Sequence, residues 1–395
     1  MRSLLILTLL LVPLQAGAVT LKGTVYWRGT LSQSETVRVE PGATLIIEPG
    51  TTVTFSKGGL EVAGRLTAAG ATLKGRDWPG VTLKGTGRDT HLRDTTIEGA
   101  ATGILVLGGE PQLEGLILRG NQVGMELRQK TAAVVSRCRF RQNARVGLFL
   151  KDGATPVVTG NHFENNGKYG AYLFRAEPRE FSGNTFLGNA TGLMISHFGS
   201  NPAVRGNRFE NNGTAIQVDR AARPQLSGNT LLDNETGMHL SRRSDPGITG
   251  NLLRGNRTGI HIAFSSYPRI QGNDLGGNQT SLVLEHQSSA WELANGAAAR
   301  QAEAAHSAFG SSPRQTVSEA DRLPGTLNGT VDARNNWWGE ERTRELAAIG
   351  GNGNPLFIHD GRDTPTFADG GKDYLLDKVL FFPWSATPLT KGQTP

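Results

Sequence analysis

The chain has 395 residues, a formal net charge of +6 at pH 7, 52 glycines and a single cysteine. One cysteine excludes an internal disulfide, and a glycine content well above ordinary usage indicates many turns. Basic residues concentrate between Arg119 and Lys151. They favour an anionic partner or, as the alternative, a surface whose charge discourages pairing between strand edges.

Residues 1–18 have the pattern of a secretory signal peptide. Arg2 supplies the positive charge, Leu4 to Leu14 form an apolar run, and Ala16-Gly17-Ala18 is a cleavage site. We therefore expect a periplasmic or secreted protein, cleaved near Ala18, with no nucleic-acid partner. The apolar run is too short to span a membrane and no other segment is a candidate, so no transmembrane segment is predicted.

Residues 19–75 are predicted to form an N-terminal cap and the first coils. The run VRVEPGATLIIEPGTTVTF contains two Pro-Gly turns between alternating strands. A cap is expected there because a solenoid must protect its end.

Residues 76–287 form regular repeats in which asparagine recurs every 22 or 23 residues. One column is Asn121, Asn143, Asn166, Asn189, Asn212, Asn234, Asn256 and Asn278, and a second is Asn161, Asn184, Asn207, Asn229, Asn251 and Asn273. Each unit holds three short alternating runs separated by Gly, Asn and Pro, which leaves no room for a helix. The period predicts an all-β, right-handed parallel β-helix with three strands per coil.

Two further columns are apolar and are expected to fill a narrow core. They are Phe140, Phe163, Phe186, Phe209, Leu231, Leu253 and Leu275, and Leu148, Leu193, Ile216, Met238, Ile260 and Leu282. Asparagine tolerates left-handed turns, and stacked amides can bond to one another in a ladder. Cys138 occupies a position of the second asparagine column and is expected to be buried there.

The regular pattern stops after Glu285. Residues 288–328 are predicted to be a helical insertion, because Ser289 to Glu292 is a capping box before an Ala-rich run. Residues 329–395 are predicted to form a final coil and a C-terminal cap that plugs the core.

Several segments together resemble a known family. They are the NxFxxNxTGIxI units, a WPGV start, the PGATLIIEPGT opening and the NNWWG…VLFFPW ending. The chain is similar to secreted bacterial β-helix repeat proteins, related in fold to pectate lyases, polygalacturonases and the carbohydrate-binding and sugar-hydrolase repeat domain. It also resembles the periplasmic protein that helps mature the copper site of nitrous-oxide reductase. This resemblance is specific for fold and says little about function.

The strand after each Thr-Gly step carries outward side chains in which aromatic rings mix with charged groups. This mixture is typical of carbohydrate recognition, in which rings pack on sugars and charged groups bond hydroxyls and carboxylates. The candidate ligand-binding residues are Phe149, Tyr172, Phe174, His197, Phe198, Asp219, His239, Arg242, Arg243, His261, Phe264 and Tyr267. The alternative is that loops or the 288–328 insertion cover these rings.

His239 and His261 lie 22 residues apart in one column, and Asp219 lies one coil further. The three residues could bind a transition metal, provide a general base beside an orienting acid, or be solvated groups without a role. Polygalacturonase-like relatives carry paired Asp residues where this chain has Val123 or Thr. Threonine cannot replace the two carboxylates of glycoside hydrolysis, and no carboxylate cluster for Ca²⁺ stands out.

We therefore predict a monomeric exported protein that binds an anionic carbohydrate or cell-envelope polymer along one face of the solenoid. Two alternatives remain. One is a polysaccharide lyase or glycoside hydrolase with a non-standard site; the other is a structural or metal-site maturation protein of the periplasm. No cofactor is assigned; Ca²⁺ and a transition metal both stay open, and His239 and His261 are the candidate ligands of a transition metal.

Overall fold

The computed structural model describes residues 18–306 and 327–388. Three parallel sheets of 14, 12 and 11 strands wind around one axis, and each complete coil contributes one strand to each sheet. The predicted signal peptide lies outside the described residues apart from Ala18, as does the 307–326 part of the predicted insertion. Among the described helices, none is long and apolar enough to cross a membrane.

Sheet 1 carries the strands that follow the Thr-Gly steps. Its strands are Ala18–Leu21, Thr36–Val39, Leu60–Val62, Val81–Lys84, Thr102–Leu107, Val123–Arg128, Val146–Lys151, Tyr169–Phe174, Thr191–Ser196, Thr214–Asp219, Thr236–Ser241, Thr258–Ala263, Thr280–Glu285 and Ile358–His359.

Sheets 2 and 3 complete each coil. Sheet 2 has the strands Thr24–Trp27, Thr44–Ile47, Arg65–Ala69, His91–Arg93, Gln112–Glu114, Val134–Ser136, Val157–Thr159, Glu180–Ser182, Ala203–Arg205, Gln225–Ser227, Gly247–Thr249 and Arg269–Gln271. Sheet 3 has the strands Thr30–Gln33, Thr52–Phe55, Thr72–Trp78, Thr96–Ala100, Ile117–Arg119, Arg139–Arg141, His162–Glu164, Thr185–Leu187, Arg208–Glu210, Thr230–Leu232 and Leu252–Arg254.

The core is a continuous column, as the two apolar series predict. Every member of both series is buried. Phe140, Phe163, Phe186 and Phe209 stack with ring centroids 4.6–4.8 Å apart, which is the spacing between strands of a sheet. The all-β solenoid predicted from the period is confirmed.

The two asparagine columns form buried amide ladders. Each Nδ2 donates to Oδ1 of the asparagine on the next coil, at 2.8–3.1 Å. Asn336 extends the second column beyond the insertion, because Nδ2 of Asn273 donates to its Oδ1. Cys138 takes a ladder position, and its backbone N–H donates to Asn161. Burial raises the pKa of its thiol to about 12, so this cysteine is not reactive at neutral pH.

The C-terminal end of the core is plugged. Helix α1 (Ser289–His306) leaves the solenoid, and helix α2 (Glu340–Ile349) follows the strand Thr330–Asp332, which pairs with Lys378–Leu380. Trp338, Phe357 and Phe381 are buried over the last coil. An antiparallel hairpin of Thr366–Asp369 and Lys372–Leu375 completes this region. Helix α2 and the hairpin were not predicted from the sequence.

Candidate functional site

The strongest candidate site is a pocket of about 700 Å³ at the C-terminal half of the sheet 1 face. Its floor is formed by sheet 1 and by the turns that follow its strands. Its far wall is formed by α1 and the hairpin. The lining residues are Gln217, His239, Ser241, Arg242, Arg243, Phe264, Ser265, His286, Trp291, Phe367, Ala368 and Asp369.

The turns after sheet 1 project their side chains because they contain left-handed residues. Arg242 and Arg243 have φ of 52° and 63°, and Phe264 and Ser265 have φ of 52° and 60°. Such backbone is uncommon for residues other than glycine. The same turn recurs at Gln129 and Lys130 in an earlier coil, so it belongs to the coil geometry. What differs at the pocket is the side chains that the turn displays.

Phe264 offers an open aromatic face. His286 stacks on one side of the ring with centroids 5.2 Å apart, yet Phe264 is still 49% exposed. About half of the Phe264 side chain therefore remains accessible, and the ring lines the pocket. Phe367 of the hairpin meets His286 edge-on at 5.4 Å, and Nε1 of Trp291 donates to Asp369 at 2.6 Å. These contacts join the hairpin and α1 to the solenoid turn.

His239 and His261 are neighbours, as their 22-residue spacing predicts. Their strands pair in register, and the rings stack with centroids 4.8 Å apart and planes 15° apart. Burial, and then the proximity of His261, lower the pKa of His239. Nε2 of His261 lies 2.8 Å from Oε2 of Glu285. His239 is therefore a neutral hydrogen-bonding group at pH 7, and it lines the pocket.

The carboxylate of Asp219 is not exposed, although the sequence predicts that this residue lies on an outward-facing column. It is 1% exposed. Oδ1 accepts hydrogen bonds from Oγ of Ser241 at 2.9 Å and from Nε of Arg242 at 2.6 Å. The guanidinium of the next coil thus binds this carboxylate, which acts in positioning Arg242. Nothing in this arrangement leaves Asp219 placed as a general base.

The residues around the pocket do not fit a closed metal site. Within residues 18–306 and 327–388, no group of three or more His, Cys, Asp or Glu side chains could hold a metal ion. The rings of His239 and His261 are nearly parallel. Their nitrogen lone pairs therefore lie side by side, and they do not converge on one point between the rings.

Further along sheet 1, the predicted aromatic residues stack on one another. Phe149 and Tyr172 are parallel with centroids 4.9 Å apart, and Phe174 lies 4.4 Å from the ring of His197. Lys151 and Arg175 lie over two of these rings. Because ring faces are covered by neighbours, this part of the face offers mainly ring edges.

His197 and Tyr267 make internal contacts, and Phe198 is half-buried. Burial, and then the positive charges of Arg220 and Arg175, lower the pKa of His197 to about 4. The hydroxyl of Tyr267 donates to Oδ2 of Asp377 at 3.0 Å, so this ring helps to attach the C-terminal region.

Sequence reasoning missed the residues that complete the pocket: His286, Trp291, Phe367 and Asp369. One local signal was present, because Gly370-Gly371 between two alternating runs is typical of a tight hairpin. Both glycines have positive φ, 56° and 76°, as such a turn requires. The contact between this hairpin and the turn at Phe264 has no local signal.

Comparison with protein families supports the architecture. The family described as "Right handed beta helix region" matches residues 59–209. The family described as "Periplasmic copper-binding protein (NosD)" matches residues 180–299, which include His239, His261 and Phe264. No curated protein matches the chain.

The three-sheet coil and these two matches define the class: the chain is a right-handed parallel β-helix repeat protein. Within that class it resembles NosD over the coils that form the floor of the pocket. A periplasmic location is consistent with that match.

Proposed function

We propose that this protein binds an anionic carbohydrate or cell-envelope polymer in the periplasm, at the pocket between sheet 1, α1 and the hairpin. The observation that carries the proposal is the open face of Phe264 beside the guanidinium groups of Arg242 and Arg243. An open ring can pack on the apolar face of a sugar, and guanidinium groups match carboxylates and phosphates.

The remaining lining supports a polar ligand of limited size. Gln217, His239, Ser241 and Ser265 supply neutral donors and acceptors, and His239 is uncharged at neutral pH because its pKa is lowered. Ligand sites of about this volume combine apolar walls with a few polar groups that fix orientation. The pocket therefore accommodates a few sugar residues, in contrast with the long face predicted from the sequence.

The test is titration of purified mature protein with neutral and acidic polysaccharides and their oligosaccharides, with new reducing and unsaturated ends recorded in parallel. We expect binding of acidic members only, and at least tenfold weaker binding by Phe264→Ala. Phe382→Ala is the matched control, because Phe382 is 54% exposed but does not line the pocket. Absence of binding, or equal losses in both variants, would contradict the proposal.

The recorded ends address the enzymatic alternative. A lyase or hydrolase would release new ends, and the release would depend on groups that line the pocket, such as His239. Binding without new ends supports a binding protein.

A second candidate is a periplasmic role in metal-site maturation. Its support is the match to a periplasmic copper-binding family over residues 180–299, which include His239 and His261. The test is copper content after equilibrium dialysis against a Cu(I) or Cu(II) buffer. Copper retained by the protein and lost from His239→Ala and His261→Ala would favour this role over carbohydrate binding. Copper retained by both variants would argue against it.

A further inference from the structure

The first coil leaves its outer edge unpaired. Strands Ala18–Leu21, Thr24–Trp27 and Thr30–Gln33 each stand at the end of their sheet and pair on one side only. Among the described residues, none pairs with their outer side. Edge strands are templates for pairing with another chain.

Several apolar side chains of the first coil are also more exposed than their partners in the second coil. Val19 is 43% exposed, whereas Val37, its partner in the next coil, is 1% exposed. Leu21, Val25 and Leu31 are only partly buried, although their partners in the second coil are buried. Both the backbone and the side chains of the first coil are therefore arranged to receive another layer of strands.

These edges lack the features that usually prevent association. The three strands read AVTL, TVYW and TLSQ, with no charged residue and no proline. Natural edge strands commonly carry lysine, proline or a bulge for this purpose. At the opposite end of the molecule the core is covered, because Trp338, Phe357 and Phe381 are buried over the last coil.

We propose that the open end is an interface between two copies of this chain, joined end to end through their first coils. A single extended peptide would cover only one of the three strand edges. The first coil of a second copy presents three strand edges in the same triangular arrangement. A head-to-tail contact is excluded because the C-terminal end is plugged. The association is therefore a closed two-fold dimer with antiparallel pairing between the two first coils.

The test is sedimentation equilibrium of protein exported to, and purified from, the periplasm, combined with small-angle X-ray scattering. We expect twice the mass of the chain, about double the monomer's maximum dimension and an unchanged cross-section. A monomeric mass over the micromolar range would overturn the proposal, including the case in which retained N-terminal residues cover the end. A dimer with a doubled cross-section would overturn it as well.

Val19→Lys should raise the dissociation constant at least tenfold, because it places two like charges at the contact. Leu187→Lys is the matched control: Leu187 is 38% exposed but faces outward from sheet 3 in the middle of the solenoid. Circular dichroism would verify that both variants are folded. If Val19→Lys is folded and dimerises as tightly as the control, the proposed interface is wrong.

Discussion

Nε of Arg242 donates a hydrogen bond to Oδ1 of Asp219, the carboxylate of the preceding coil, at 2.6 Å. Arg242 lines the pocket and Asp219 is buried beneath it. A polar contact between two coils thus sets the position of a charged group that the proposed ligand would meet.

Removing the charge of Asp219 should weaken both the fold and the pocket. Asp219→Asn weakens the bonds to Arg242 and Ser241, and we expect the free energy of unfolding to fall by about 1–3 kcal/mol. Chemical denaturation measures this. The control is Asp152→Asn, since Asp152 is half exposed and its change should stay within about 0.5 kcal/mol. Equal effects in the two variants would show that the Asp219 contact contributes little.

Replacing an asparagine in the middle of the ladder should lower the free energy of unfolding. Nδ2 of Asn212 donates to Asn234 and to the carbonyl of Phe186, and its Oδ1 accepts from Asn189. Asn212→Ala leaves buried partners without bonds, and we expect a loss of about 3 kcal/mol or more. Thermal and urea unfolding measure it.

Asn211 provides a control for the ladder. It is exposed and has φ of 53°, so Asn211→Gly keeps the left-handed backbone without loss of a ladder bond. If it were as destabilising as Asn212→Ala, the ladder would not be the source of the effect.

Stability should fall on acidification because of His197. Its pKa is about 4 in the folded protein, against 6.5 for an ordinary histidine. The unfolded chain therefore binds the proton first, so the stabilising contribution is complete above pH 6.5 and is lost as pH falls toward 4. After alignment at pH 8, the melting temperature of the wild type should fall progressively below that of His197→Gln as the pH is lowered across this window. An NMR titration midpoint of His197 near 6.5 would contradict this account.

The hairpin should depend on its contact with α1. Asp369→Ala removes the acceptor of Trp291 Nε1, and a further side-chain bond runs from Asn295 to the hydroxyl of Tyr374 at 3.1 Å. We expect at least tenfold faster amide hydrogen exchange in residues 366–375, with the solenoid unchanged. Asp373→Ala is the control on the same hairpin. Unchanged exchange in Asp369→Ala would show that other contacts hold the hairpin.

The repeat made the solenoid predictable. Because the asparagine repeat from Asn121 to Asn278 has a constant period of 22 or 23 residues, positions one period apart must stack, and this placed the phenylalanine column and the pair His239–His261 correctly. The direction of a side chain at the edge of a coil does not follow from the period. Asp219 is predicted on an outward column, yet this position is buried in four consecutive coils, at Ser196, Asp219, Ser241 and Ala263, and the buried carboxylate binds the guanidinium of Arg242.

The pocket could not be predicted because it depends on contacts between distant segments. The hydroxyl of Tyr267 reaches Asp377 across 110 positions of sequence, and Trp291 reaches Asp369 across 78. Neither contact has a periodic signal. The sequence therefore predicted the residues that form the floor of the pocket. The walls of the pocket and the exposure of the Phe264 ring follow only from the three-dimensional structure.

The uniform coil has a consequence for distance. His239 lies on the eleventh strand of sheet 1, ten steps from the first, so about 48 Å of solenoid separates the pocket from the N-terminal end at the strand spacing. Adding or deleting one coil among residues 81–209 would change this reach by about 4.8 Å while leaving every pocket contact intact. The number of coils thus sets the distance between the pocket and the N-terminal end, and this distance can change without a change in the residues of the pocket.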